Sequence, residues 1–334
     1  MEKEKTFFNV YKILRPNIGN TPYYTLAFAT LSWTFSLFFS NLSMPCFGLI
    51  SGLHWTYYLA LIILFLTFCI SLSDVNTFKK LIFLEIILLI VLLYATPSLL
   101  ERTPRITSGF KFYGHTEYIL RNGMISQEKL WYHAWPGFFY LFSVVFTLLP
   151  ELNYFFLITY YPFIWSLFTL PFLYTLFSYV SRKKTISLLA IWVFYTLNWV
   201  GQNYFSPQSL AIILLLLLSM FLARIACNGI IEEKKSVIII SLLLITLLLT
   251  HILTTLFSLI LISIVFLSKV FKKGSLKNTK IVGFIFVALI MLSVFLWLLW
   301  GGEVWFSENI GSLESIIRRL SEFRFSAVSE LQSR

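Results

Sequence analysis

"LIFLEIILLIVLLYAT", Leu81 to Thr96, carries one charged residue in sixteen positions. It approaches the roughly 20 apolar residues that cross a bilayer as a helix, and "IVGFIFVALIMLSVFLWLLW", Ile281 to Trp300, reaches that length. The 334-residue chain is 58% hydrophobic and only 12% charged, against about a quarter charged in a soluble domain. Its mean hydropathy is +0.82. These values predict a polytopic membrane protein with the lipid bilayer as its surroundings. The runs are continuously apolar, whereas barrel strands alternate, so the expected fold class is an all-α transmembrane helix bundle.

Spans are expected near 23–42, 54–72, 81–97, 155–180, 186–201, 208–226, 236–250, 255–269 and 280–300, about nine in all. Loops assigned alternately to the two sides separate by charge. The N-terminal segment with Lys3, Lys5, Lys12 and Arg15, and the loops with Lys79/Lys80, Arg182/Lys183/Lys184, Lys234/Lys235 and Lys272/Lys273/Lys277, fall on one side. The short loops around Leu49, Phe205 and Leu253 have no Lys or Arg. By the positive-inside rule the N-terminus is cytoplasmic and the chain a multi-pass protein of the cell membrane.

The net charge of +11 is thereby read as topological, with no nucleic acid implied. The N-terminus lacks a signal-peptide apolar core and cleavage site, so the first span is expected to be retained. Cys46, Cys69 and Cys227 are far apart and form neither a disulfide framework nor a metal spacing. "NLS" at Asn41 to Ser43 is a glycosylation sequon close to a span end.

Gly137 to Leu149 is apolar but too short to cross unaided. Crossing would also move every later basic loop to the wrong side. It is expected to be an outer juxtamembrane or re-entrant helix packed on protein. The organisation is then a cytoplasmic segment 1–22, a transmembrane domain 23–300 that includes the outer loop 98–154, and an outer amphipathic segment 301–334, where "LESIIRRLSEFRF" has interfacial-helix spacing. No internal repeat or soluble domain is visible.

Polar residues gather in four outer stretches. In "YGHTEYILRNG", Tyr113 to Gly123, Thr116 can cap a short helix and Asn122-Gly123 can stop it. Glu117 and Arg121 are then an i,i+4 surface pair or, on a functional reading, a general base and a phosphate contact. "LWYHAWPG" sets His133 among Trp131, Tyr132 and Trp135, either as an interface belt or beside a phosphate or sugar. "WVGQNYFSPQSL" brings Gln202, Asn203 and Gln208 to a helix junction, as a polar turn or a sugar contact, with Pro207 able to start the next helix. "LLLTHILTTL" puts His251 among threonines in a tight turn, as interhelical glue or as a functional group. Glu85, inside the third span, is expected to pair or snorkel with Lys79 or Lys80.

The strings "GHTEYILRNGMIS", "LWYHAWPGFFYLFS", "WVGQNYFSPQSLAI" and "LLTHILTTLFSLI" occur in this order over about Tyr113 to Ile260. In pattern and order the chain resembles the C-type (GT-C) integral-membrane glycosyltransferases, and more narrowly uncharacterised archaeal and bacterial polytopic proteins related to them. The resemblance implies a catalytic acidic residue in the first long outer loop, matched by Glu117. It also implies a polyprenyl-phosphate-linked sugar donor and inverting transfer at the outer face.

Under that reading His115, Arg121, His133, His251, Arg102 and Arg105 are candidate phosphate contacts, and Gln202, Asn203 and Gln208 orient the donor. Metal-dependent members use paired acidic residues. The carboxylates nearest Glu117 in the loop, Glu101 and Glu128, lie outside helix-neighbour spacing, so no metal site and no cofactor is expected. The chain also ends soon after its last span, without the further helices or globular domain that many members carry. The alternative is a non-enzymatic polytopic protein, either a lipid or solute transporter or an envelope scaffold. Midplane polar residues and repeats would favour a transporter. Sugar, lipid carrier, acceptor and oligomeric state stay open.

Overall fold

The computed structural model describes residues 19–40, 49–124, 136–181, 183–198, 203–228 and 233–271. Among them the regular structure is entirely helical, as the composition requires. The expected span 280–300, the segment 301–334 and the Asn41 sequon lie outside the described residues. Ten helices matter here: α1 (Thr21–Phe39), α2 (Trp55–Ser73), α3 (Val75–Glu101), α4 (Ser108–Asn122), α5 (Gly137–Leu148), α6 (Tyr154–Ser181), α7 (Lys184–Leu197), α8 (Pro207–Asn228), α9 (Glu233–Thr250) and α10 (Ile252–Phe271).

Four of them, α2, α3, α6 and α8, are long and apolar enough to cross a membrane among the described residues, so the count of about nine is not reached there. The apolar stretches Lys184–Leu197, Ile238–Thr250 and Ile252–Val265 are shorter than a crossing. Helix α1 has 19 residues, but its four threonines, two serines and two tyrosines dilute its hydropathy. Helix α5 has 12 residues and rises about 18 Å, well short of the roughly 30 Å hydrocarbon core.

The described residues divide into two units. The first comprises the described residues up to 106 and those within 155–204, the second those within 107–154 and from 205 to 271.

In the first unit, α1 packs on α2 through small residues. Ala29, Ser32 and Ser36 face inward, while Tyr24, Phe28, Leu31, Phe35 and Phe38 form an exposed stripe. Small groups inward and large apolar groups outward is the pattern of helices that meet in lipid, where close approach rather than water exclusion holds them together. The threonines that lower α1's hydropathy donate to carbonyls one turn back, as Thr30 does to Leu26 at 2.9 Å and Thr34 to Thr30 at 2.9 Å.

Between α2 and α3 stands Asp74 alone. Its carboxylate takes the Thr77 hydroxyl at 2.9 Å and so starts α3 at Val75, six residues before the apolar run begins. The basic pair Lys79/Lys80 therefore lies within helix rather than loop.

Helix α3 contains a π turn at Val91–Ala95, just ahead of Pro97. Thr96 N–H reaches back to Val91 O instead of Leu92 O. The Leu92 carbonyl takes its hydrogen bond from the Tyr57 hydroxyl of α2, at 3.0 Å in a buried setting. The Trp33 indole of α1 donates to Thr96 Oγ1 at 2.9 Å, and the Tyr94 hydroxyl donates to Tyr195 O of α7 at 2.7 Å.

Helix α6 carries two internal prolines, Pro162 and Pro171. Each removes the donor for a carbonyl four residues back. Beside these gaps, Ser98 donates to Thr159 O at 2.6 Å and Tyr195 to Ser166 O at 2.7 Å.

In the second unit, Ala211, Leu218 and Leu222 of α8, Leu244 and Leu247 of α9, and Leu259 and Ile262 of α10 form one apolar cluster.

Removing the Tyr57 hydroxyl leaves the buried Leu92 carbonyl without its donor. Tyr57→Phe is expected to cost about 1–3 kcal/mol, read as a lower thermal midpoint in detergent. Tyr58, whose hydroxyl bonds Ile50 O in an exposed position, should tolerate the same change to within about 0.5 kcal/mol.

Candidate functional site

Helix α4 presents the residues singled out in the outer loop. It ends where expected: Gly123 adopts a left-handed φ of 72°, and its N–H bonds Ile119 O at 2.7 Å. It begins two turns earlier than expected. Thr116 is not a cap but an interior residue, fully buried, with its hydroxyl on Phe112 O at 3.1 Å.

Packing explains the extension. Phe112 and His115 meet Phe139 of α5 at 6.2 and 5.5 Å between ring centroids. Tyr113 meets Phe146 edge-on at 5.7 Å and stacks on Tyr154 at 4.1 Å. A buried aromatic face two turns long stabilises helix that local propensity alone leaves marginal.

Glu117 lies one turn beyond Tyr113 on α4. Its side chain is 36% exposed and forms an ion pair with Arg121, which is 75% exposed. Burial first, and then the Glu117 carboxylate, push the Tyr113 hydroxyl above its ordinary pKa, so it stays a neutral phenol at physiological pH. His115 is buried against α5 and presents no comparable exposed surface.

The first turn of α5 gathers three elements of the second unit. Gly137 approaches the end of α9 so closely that a Cβ there would lie 3.1 Å from Leu249 O and 3.3 Å from Thr250 Oγ1. Phe138 packs on Phe205 at 4.9 Å, immediately before α8, and both rings are fully buried. Phe139 holds α4 through Phe112 and His115. Gln208, half-buried, is the second residue of α8, a helix whose start is capped by Ser206 Oγ accepting from Ser209 N at 3.2 Å.

His251 is the single residue between α9 and α10. Its Nδ1 lies 2.9 Å from Thr254 Oγ1 and accepts from Thr254 N at 3.4 Å, which caps α10. An amide can only donate, so Nδ1 is the acceptor and the ring hydrogen sits on Nε2. Burial lowers the His251 pKa and keeps the ring neutral at physiological pH. His54 caps α2 in the same way, with Nδ1 accepting from Thr56 N at 3.4 Å.

Three expected site residues belong to the first unit. Asn203 is buried, with its amide donating to Pro162 O at 3.5 Å and Ser166 Oγ at 3.4 Å, and so braces α6 beside its first internal proline. Arg102 closes α3 with a left-handed φ of 53°, and both it and Arg105 are exposed. Gln202 and His133 lie outside the described residues.

Glu85 differs from expectation. It is fully buried and takes a hydrogen bond from Ser71 Oγ at 2.6 Å, while Lys79 sits over the Tyr174 ring, 6.0 Å from its centroid. Sequence spacing to the nearest lysines was a poor guide, because α3 turns Glu85 toward α2. The signal available beforehand was Ser71, one helix earlier and also in an apolar run. Gly137, whose close approach seats α5, was legible only as a breaker after Pro136.

Among the described residues no three His, Cys, Asp or Glu side chains gather closely enough to hold a metal ion. No family model matches the chain, and no curated protein or solved structure matches it either.

His251 gives a pH dependence with a definite sign. Its folded pKa lies below the ordinary 6.5, so its contribution to stability is complete above about pH 6.5 and is lost as pH falls toward the folded value. Thermal midpoints in detergent should drop as pH is lowered through that window. His251→Asn, which can still cap α10, should flatten the drop.

Proposed function

We propose that the chain is a membrane glycosyltransferase of the GT-C type, which moves a sugar from a polyprenyl-phosphate-linked donor to an acceptor at the outer face of the cell membrane. Glu117 removes the proton of the acceptor hydroxyl. The acceptor oxygen attacks the anomeric carbon, and the lipid phosphate departs from the opposite side with inversion.

The observation that supports this reading is the meeting of three elements on the first turn of α5: the helix that bears Glu117, the start of α8 with Gln208, and the α9–α10 junction with His251. They include three of the polar places that the sequence sets on one side. Lys111 and Arg121 share α4 with Glu117 and can take up the departing phosphate through charge-assisted hydrogen bonds. Arg121 is long and mostly exposed, so its pairing with Glu117 is weak and exchangeable. The Nε2–H of His251 is a further donor for phosphate or sugar. No metal or cofactor enters the reaction as written.

The second reading is a non-enzymatic scaffold or transporter. It is favoured by the Glu117–Arg121 pair itself, since an exposed i,i+4 pair contributes only a few tenths of a kcal/mol and needs no catalytic purpose.

Glu117→Gln keeps shape and removes basicity. Sugar transfer from a polyprenyl-phosphate donor is expected to fall by about 100-fold to 10,000-fold with the thermal midpoint unchanged. Transfer at the wild-type rate would remove Glu117 as the base, and no transfer by the wild-type protein itself would favour the scaffold reading.

The orientation is tested separately. A cysteine placed at Ser126 should react with impermeant reagent from outside the cell, and one at Ser181 only after the membrane is opened. Labelling of Ser181→Cys from outside would reverse the topology.

A further inference from the structure

We infer that Glu85 is a proton-binding site in the membrane-spanning part of the first unit, taking up and releasing one proton at the carboxyl oxygen that Ser71 leaves vacant. Glu85 lies ten residues into α3, about 15 Å from its start at 1.5 Å per residue. Its side chain is fully buried. One oxygen, Oε1, accepts from Ser71 Oγ at 2.6 Å, and the other, Oε2, meets no hydrogen-bond donor.

A carboxylate in an apolar interior needs its lone pairs satisfied or its charge removed. One hydroxyl serves one oxygen, and a proton completes the other. Isolated ionisable groups inside membrane helices are costly, and they persist where a step uses them.

The surroundings supply no competing cation. On α2 the titratable group within electrostatic range of Glu85 is Cys69, itself exposed, with Asp74 at the helix end. From α7 there are Lys184 at the first residue and Tyr195, whose hydroxyl is on Ser166 O. From α1 there is Tyr23, packed on Phe78. On α3 itself Lys79 lies over Tyr174, and no ion pair to Glu85 forms among the described residues. The site is independent of the glycosyl-transfer reading, which rests on residues of the second unit.

Dicyclohexylcarbodiimide, a membrane-soluble probe, tests the inference on the intact protein in membranes. The O–H of a protonated carboxyl adds across a C=N bond of the probe and rearranges to an N-acylurea, with no atom lost and no co-reactant. Peptide mass mapping should find the adduct at Glu85 at low pH, with labelling that falls about tenfold per pH unit above its midpoint, as a single-proton site requires.

Ser71→Ala removes the one hydrogen bond to the ionised form and should move the midpoint to higher pH. Glu85→Gln should lose that adduct. A water-soluble carbodiimide with an amine nucleophile should modify Glu117 and spare Glu85. Absence of the Glu85 adduct at every pH, labelling that does not change with pH, or modification of Glu85 by the water-soluble reagent would each overturn the inference.

Discussion

Within hydrocarbon, a backbone carbonyl that loses its helical partner has no water to turn to, so every break in a spanning helix must be satisfied from a neighbouring helix. The first unit is organised by that constraint. Helix α3 breaks its ladder at a π turn before Pro97, and α6 breaks its own at Pro162 and Pro171. Side chains from other helices bond carbonyls at or beside these breaks: Tyr57 on Leu92 O at the π turn, and Ser98 on Thr159 O and Tyr195 on Ser166 O next to the carbonyls the prolines free. Tyr195 is central, because its hydroxyl serves α6 while its own carbonyl accepts from Tyr94 of α3. Each bond is directional, so together they fix the rotation of α2, α3, α6 and α7 in a way that apolar surface in lipid does not.

The second unit uses closeness and aromatic edges instead. Helix α5 is too short to cross, but a glycine at its start lets it come against the α9 backbone, and the two phenylalanines that follow seat the start of α8 and α4. Its backbone is hydrogen-bonded within the helix and its N-terminal turn is covered by protein, which is what a short apolar helix would need inside a membrane. The histidine at the α9–α10 junction has a structural duty as a cap through Nδ1, and this leaves Nε2 as a hydrogen-bond donor.

The two glutamates that stand out in the sequence exchange their apparent importance once their surroundings are known. Glu117, in a polar stretch, is half-exposed and paired with a neighbour one turn away. Glu85, in an apolar run beside two lysines, is buried with a serine. A carboxylate near water has partners in plenty and is weakly held. One removed from water is defined by the single bond it keeps, and its state depends on that bond.

The sequence by itself determined the all-helical membrane class, since 58% hydrophobic composition and uninterrupted apolar runs leave few alternatives. It also located most of the described long apolar helices to within a few residues and marked Gly123 as a stop, because turn chemistry and hydropathy are local properties. It did not determine that α4 begins at Ser108, that Glu85 faces Ser71, or that Gly137 seats α5 on α9. Nor did it separate Asn203, which braces α6, from the amides of its own string. Those outcomes depend on which face a helix turns toward a neighbour distant in sequence. In an all-apolar helix hydropathy is nearly uniform around the axis, so only tertiary contacts could decide it: an orphaned carbonyl, a missing Cβ, a hydroxyl within reach.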